Sequence, residues 1–253
     1  ATAEQLLVKE KVFAAQENPL FTVRHLKKWF QNEEGVNDVS FDICEGEVFA
    51  LAGESGSGKT TLAKILTGLE QPDSGEVFCR GERVDRKNRK RNKNMHGKVR
   101  MIFQDPYSSL NPCMTINEML TETLRAKEKQ IKFDQKERKK DRQRQIEQML
   151  TRVGLSSLDG KRYPRELSGG QRQKAAIARA LLLEPELLIC DEAVSSLDAA
   201  TRTQILDLLL RVVKEKKIAC LFISHDMAVV ERVSHRRSEE RRVGKECLRL
   251  CRS

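Results

Sequence analysis

The stretch Val48-Phe49-Ala50-Leu51-Ala52-Gly53-Glu54-Ser55-Gly56-Ser57-Gly58-Lys59-Thr60 decides how the chain is read. Its first five residues are apolar without a break, the pattern of a strand covered on both faces. Gly53 ends that run, and helical spacing takes over from Thr60 to Leu66. The segment between strand and helix is the P-loop pattern, and its residue types follow from phosphate chemistry. Glycines let backbone N–H groups approach phosphate oxygens, and the helix start adds the positive end of its dipole. Lys59 is placed to neutralise β- and γ-phosphates, and the Thr60 hydroxyl to ligate Mg²⁺. Gly53, Ser55, Gly56, Ser57, Gly58, Lys59, Thr60 and Thr61 are therefore the candidates for holding ATP.

A P-loop needs a carboxylate at the end of a second buried strand. Leu187-Leu188-Ile189-Cys190-Asp191-Glu192 supplies one. Asp191 is placed to hold Mg²⁺, and Glu192, one residue further, to orient the attacking water. Between the two motifs, Leu167-Ser168-Gly169-Gly170-Gln171 opens a helix expected over Gln171 to Leu183 and stopped near Glu184-Pro185. A Ser and two Gly at a helix start form a second phosphate-binding N-terminus. One nucleotide rarely needs two such sites, so this one is expected to serve the nucleotide of a partner subunit.

Outward from these motifs, Phe21, Val23 and His25 alternate with polar residues, as do Val39, Phe41 and Ile43, giving two half-buried strands. Val99 to Phe103 and Ile218 to Ile223 read as further strands. Residues from about 106 to 165 change character. Ile116, Met119, Leu120 and Leu124, then Ile146, Met149, Leu150 and Val153, carry helical spacing and predict an inserted helical subdomain. Residues 1–19 read as an arm, and 20–235 as one nucleotide-binding domain.

Composition narrows the class. The 253 residues and 28.9 kDa suit one large α/β domain with an insertion. Aromatics at 5% require an aliphatic core. No apolar run approaches the roughly 18 residues of a membrane span, and no signal-peptide pattern stands near the start. The chain does not begin with Met, so its first residue need not be the natural one. Seven cysteines without metal-ligand spacing suit a reduced, cytosolic chain. The net charge of +10 is regional: Arg80 to Arg100 holds ten basic and two acidic residues, and Arg125 to Gln145 ten and four. The first has no aromatic residue and the second only Phe133, so base stacking is poorly served and no nucleic acid is expected. A solvated face, or acidic lipid headgroups beside a membrane partner, accounts for the charge.

Taken in order, these motifs resemble the nucleotide-binding subunit of an ABC transporter. The resemblance covers about residues 20 to 235. It adds Gln104 after Met101-Ile102-Phe103, similar to the family's Q-loop; Ser196-Leu197-Asp198, similar to its D-loop; and Ser224-His225-Asp226, similar to its switch histidine segment. Gln104 through Pro112, Ile189 through Asp198 and Ala219 through Asp226 are similar to stretches in the ATPases of peptide and nickel importers. Ala193 stands where the peptide members carry Pro, which leans toward the nickel type.

The resemblance implies a P-loop NTPase fold of class α/β, with a RecA-like core, an N-terminal antiparallel β subdomain and an inserted helical subdomain. It implies catalytic roles for Glu192, His225, Gln104 and Lys59. Metal contacts fall to Thr60, Gln104 and Asp191. Nucleotide contacts from the second motif fall to Ser168, Gly169, Gly170, Gln171 and Asp198. Trp29, the only Trp and 24 residues before Gly53, sits at the family's adenine-stacking position; capping of the first strands is its other reading. Implied partners are a second ATP-binding subunit, transmembrane permease subunits and, indirectly, an extracellular solute-binding protein, at the cytoplasmic face of the membrane.

Two other readings share the motifs. A DNA-associated ATPase of the superfamily carries a long coiled coil between P-loop and signature, whereas here Lys59 and Ser168 are only 109 residues apart without sustained heptads. A non-catalytic ATP-binding module would not need Lys59, Asp191, Glu192 and His225 together. From Arg236 to Ser253 the chain leaves the family's pattern. It reads as an atypical, foreign tail without strand-like alternation, expected to leave an open sheet edge beside Ile218 to Ile223.

Overall fold

Phe21–Phe30 (β1) and Glu33–Ile43 (β2) pair as an antiparallel hairpin in a computed structural model that describes residues 19–30, 33–53, 56–84, 98–128, 135–233 and 236–239. Phe21, Val23, Val39, Phe41 and Ile43 all turn into the core, as their alternation requires. The expected alternation fails at His25. His25 and Asp38 take positive φ of 47° and 51°, the register shifts between Val23 and Leu26, and Leu26 turns inward instead. An imidazole pushed into this apolar core would lose its hydration. The bulge keeps it outside, with Nδ1 2.9 Å from Asp38 Oδ1 and the backbone N–H donating to Ser40 Oγ at 2.8 Å. Ser74–Cys79 (β4) pairs with the other side of β1, and Glu82–Arg83 (β5) pairs with β4.

A second sheet has the order β6-β7-β8-β3-β9, from Val99–Ile102 (β6), Leu187–Asp191 (β7), Ala219–Ser224 (β8), Val48–Ala52 (β3) and Arg236–Glu239 (β9). The ladders β7·β8, β8·β3 and β3·β9 are parallel. Every residue of β3, β7 and β8 is buried, which is why these strands are continuously apolar in sequence. The two sheets share one hydrophobic core. Phe41 of β2 and Phe49 of β3 stack across it, with ring centroids 5.0 Å apart and planes 10° from parallel.

The sheet order corrects the expectation for the C-terminal region. β8 lies inside the sheet between β7 and β3, so no open edge runs beside Ile218 to Ile223. Arg236–Glu239, expected to lack strand structure, forms β9 on the outer side of β3, pairing Phe49 with Arg236 and Ala52 with Glu239. In a parallel sheet, neighbours are set by the crossovers rather than by chain order, so the last buried strand need not be the edge. Ser55, residues 1–18 of the expected arm, 85–97 of the first basic segment and the tail beyond Glu239 lie outside the described residues.

By contacts the chain groups into two units. The first comprises residues 1–101, 186–192 and 210–253 and holds both sheets and the helix Lys59–Leu66 (α1). The second comprises 102–185 and 193–209, and contains the 106–165 stretch expected to be helical. Its helices are Pro106–Ser109 (α2), Ile116–Glu128 (α3), Gln135–Arg152 (α4), Ser157–Gly160 (α5) and Gly169–Leu181 (α6). Ala199–Lys216 (α7) starts within it. Ile116, Met119, Leu120, Leu124, Ile146, Leu150 and Val153 are buried on the faces their spacing marks. Reciprocal caps start three of these helices: Thr115 with Glu118, Ser156 with Asp159, and Ser168 with Gln171. Helix α6 therefore begins two residues before the expected Gln171, because Ser168 caps it.

Truncating the ring that joins the two sheets gives a direct check on the core. Phe41→Ala is expected to lower the unfolding free energy by about 3–5 kcal/mol, the usual cost of a large-to-small change at a fully buried aromatic. Urea titration followed by circular dichroism measures it, and a loss below about 1 kcal/mol would mean the sheets do not share this core.

Candidate functional site

The loop between β3 and α1 is shaped by two glycines with positive φ, Gly56 at 88° and Gly58 at 93°. A Cβ on Gly56 would meet nothing within 4 Å, so only the backbone angle demands Gly there. Gly58 is constrained twice. A Cβ on it would lie 1.6 Å from the Gly35 carbonyl oxygen, so the loop rests directly on the β2 backbone. Helix α1 then starts with no side-chain cap at Gly58 and no acidic residue in its first turn, the arrangement in which an anion completes a helix start. Lys59 is buried and lies back over its own loop. Its Nζ donates to the Gly53 carbonyl at 2.8 Å and to Ser57 Oγ at 3.0 Å. Thr61, on the same first turn, is half-buried.

Three more functional side chains stand at the carboxyl ends of adjacent strands. From the end of β7, Asp191 accepts a 2.8 Å hydrogen bond from Thr60 Oγ1. Burial pushes the Asp191 carboxyl above its usual range, the Thr60 bond opposes this, and neighbouring Glu192 adds to it. Glu192 follows with a positive φ of 48°, while its N–H donates to the Ile223 carbonyl of β8 at 3.0 Å. Its Oε1 lies 3.0 Å from Nδ1 of His225, which follows β8. Asp226 caps the helix Met227–Val233 (α8) by accepting from Ala228 N–H at 3.0 Å, which fixes the turn carrying His225. P-loop, Glu192 and His225 thus follow three neighbouring strands, the place where open parallel sheets present their ligand sites.

Thr60 and Asp191 offer one hydroxyl and one carboxylate oxygen side by side. That hard, sparse oxygen set fits Mg²⁺, which keeps several waters and takes its other ligands from substrate phosphates.

Trp29 stands at the far end of β1, 46% exposed, beside Phe30. Its Cα partner on β2 is Glu34, next to the Gly35 on which Gly58 rests. Its backbone N–H donates to Asp73 Oδ2 at 2.7 Å. Neither Gly35 nor Asp73 stood out in the sequence, because both matter through contacts distant along the chain.

The remaining predicted residues lie in the second unit. Gln104 is exposed just before α2. At the start of α6, Ser168 Oγ accepts from Gln171 N–H at 3.2 Å, and the Ser168 N–H donates to Gln171 Oε1 at 3.0 Å. Gln171 Nε2 also donates to Asp159 Oδ1 at 3.2 Å. A Cβ on Gly170 would meet Thr201 Cγ2 at 2.5 Å, so the small residue allows the segment holding Asp198 to come close. Asp198 accepts from Thr201 N–H at 3.0 Å, the bond that chiefly holds its carboxyl below the usual range. The structure therefore brings Lys59, Thr60, Asp191, Glu192 and His225 together in one unit, and Ser168, Gly169, Gly170, Gln171 and Asp198 in the other.

Comparison with known proteins agrees with this geometry. Residues 36–195 match the ABC transporter family. The oligopeptide transport ATP-binding protein OppF of Bacillus subtilis is 42% identical over 222 residues, covering 86% of this chain and 71% of that protein. The glutathione import ATP-binding protein GsiA of Escherichia coli is 43% identical over 229 residues, 86% of this chain but 36% of that longer protein. Among solved structures, a part of an ABC transporter complex from Clostridium perfringens superposes with a TM-score of 0.77 at 24% identity, covering 88% of this chain and 85% of that one. A dimeric ATP-binding cassette bound to ADP and phosphate reaches 0.74 at 26% identity, with 87% and 94% covered. Motifs, sheet order, site geometry and kinship converge: the chain belongs to the ABC transporter family, as an ATP-binding subunit that hydrolyses ATP.

Proposed function

We propose that this chain binds Mg-ATP and uses its hydrolysis to drive an importer of peptides from the cytoplasmic face of a membrane. The observation that carries this reading is the alignment of Thr60–Asp191 at 2.8 Å and Glu192–His225 at 3.0 Å along one strand-end row, directly beside the P-loop. Lys59 Nζ exchanges its Gly53 and Ser57 acceptors for phosphate oxygens without travelling far. Thr60 and Asp191 hold the magnesium ion, whose charge offsets that of the β- and γ-phosphates. Glu192 orients the attacking water and accepts its proton. His225 steadies that carboxylate through Nδ1 and turns Nε2 to the γ-phosphate. Trp29 offers its exposed face to the adenine.

The Ser168-Gly169-Gly170-Gln171 start of α6 has no such role for the nucleotide on its own P-loop. It serves the nucleotide of a second ATP-binding subunit in a head-to-tail pair, with Asp198 at the same junction. Gln104 is the matching position for the link to the permease. Peptides are the favoured cargo because the relatives at 42–43% identity carry peptide and glutathione names; the Ala193 departure keeps nickel as the second candidate. Purified chain should hydrolyse Mg-ATP at the same rate with and without DNA. When it is reconstituted with a peptide permease, the rate should rise with peptide-loaded binding protein and not with nickel. Stimulation by DNA would replace the reading with the DNA-associated one.

Two substitutions separate binding from chemistry. Lys59→Ala removes the main charge-assisted phosphate contact, and titration calorimetry should show loss of micromolar Mg-ATP binding. Glu192→Gln keeps the Thr60–Asp191 pair, so ATP should still bind while turnover falls by about 10²–10⁴-fold, the usual weight of a positioned base. An ATP-trapped dimer should then appear on size-exclusion chromatography, and near wild-type turnover would move the base elsewhere.

A further inference from the structure

Trp29 is held from both sides, and only one side is the hairpin. On β2 its partner is Glu34. On the opposite side, the paired register between β1 and β4 ends at Lys27 and Ser74. Asp73, one residue before Ser74, carries the bonding further. Its own N–H donates to the Lys27 carbonyl at 2.9 Å, and its Oδ2 accepts the Trp29 N–H at 2.7 Å. A carboxylate thus does what a strand carbonyl would do one step beyond the end of the ladder. The other oxygen, Oδ1, lies 3.3 Å from Lys28 Nζ, which also reaches Glu70 at 3.2 Å.

The origin of Asp73 in the chain gives this lock its meaning. Residues 67–73 lead directly out of α1, the helix that the P-loop opens. Leu69 and Glu70 N–H groups both donate to the Lys64 carbonyl, tying the start of this connection to the helix end. Two fastenings therefore set the Trp29 strand against the phosphate-binding element. Gly58 resting on Gly35 is one, and Asp73 holding Trp29 is the other. A nucleotide has a fixed span from base to γ-phosphate, so the aromatic platform must keep its place relative to the P-loop.

We propose that Asp73 is the positioning residue of the adenine platform, with Lys28 and Glu70 orienting its carboxylate; this rests on Trp29 being that platform. Asp73 bonds the Trp29 backbone and Lys28, at the strand end that carries the platform, so its expected effect is on affinity for the base. Lys28 agrees: burial works against its charge, yet its hydrogen bonds to Glu70 and Asp73 hold its pKa above the usual lysine value.

The test uses the full chain and two ligands, Mg-ATP and Mg-tripolyphosphate, the second lacking base and sugar. Asp73→Ala is expected to raise the Kd for Mg-ATP about tenfold, as loss of a charge-assisted bond to a positioning group implies. It should leave the Kd for Mg-tripolyphosphate within about twofold and kcat at saturating ATP unchanged. Asp73→Asn keeps an acceptor for the Trp29 N–H and should restore most of the affinity. Emission from the single Trp should show an ATP-induced change in wild type and Asp73→Asn, reduced in Asp73→Ala. Trp29→Ala is the control for the underlying reading: unchanged ATP affinity in that variant overturns the platform itself. If Trp29→Ala weakens ATP but Asp73→Ala does not, the positioning role falls. Equal losses for both ligands, or no rescue by Asn, overturn it as well.

Discussion

Everything at the site depends on a backbone approach that no side chain would permit. Gly58 lies so close to the Gly35 carbonyl that a single methyl group would overlap it. That contact presses the phosphate loop of the parallel sheet onto the hairpin of the antiparallel one. It fixes where α1 begins, hence where Lys59 and Thr60 stand, and hence which strand end can reach Thr60. Asp191 does so at 2.8 Å. The Phe41–Phe49 stack joins the same two sheets on their apolar side. The core and the site are thus two views of one sheet-to-sheet junction.

The site was legible in the sequence wherever function is written in a continuous segment. Val48 to Thr60 runs from a strand to a helix start, Leu187 to Glu192 ends a buried strand, and Leu167 to Gln171 opens a helix. Legibility fails where geometry depends on a partner strand. His25 reads as an inward residue, but a register shift between Val23 and Leu26 turns it outward, where it meets Asp38. Gly35 and Asp73 look like ordinary turn residues because their partners, Gly58 and Trp29, lie far off in sequence. The place of β8 inside the sheet is equally hidden, since apolar strands of a parallel sheet look alike whatever their order.

The expected site residues divide between the two units. Each unit holds a complete local arrangement: a charge-neutralising cradle in one, a capped helix start in the other. In the head-to-tail pair proposed above, a carboxylate, a histidine and a lysine would act from one side and a second subunit's helix start from the other. In such a pair, affinity for nucleotide and affinity between subunits would be linked, each strengthening the other equally.

Glu192 shows what such a site demands of its backbone. It holds a positive φ of 48°, a region that an ordinary side chain enters at a cost of about 1–3 kcal/mol. Its N–H stays in the sheet through Ile223 while its carboxylate turns out to His225. Selection for thermal stability alone would therefore favour Gly or Asn at this position, and would remove the carboxylate to which the proposed mechanism gives the attacking water. If Glu192 has its proposed role, stability-guided redesign of this chain needs position 192 held fixed, because there robustness and turnover select opposite residues.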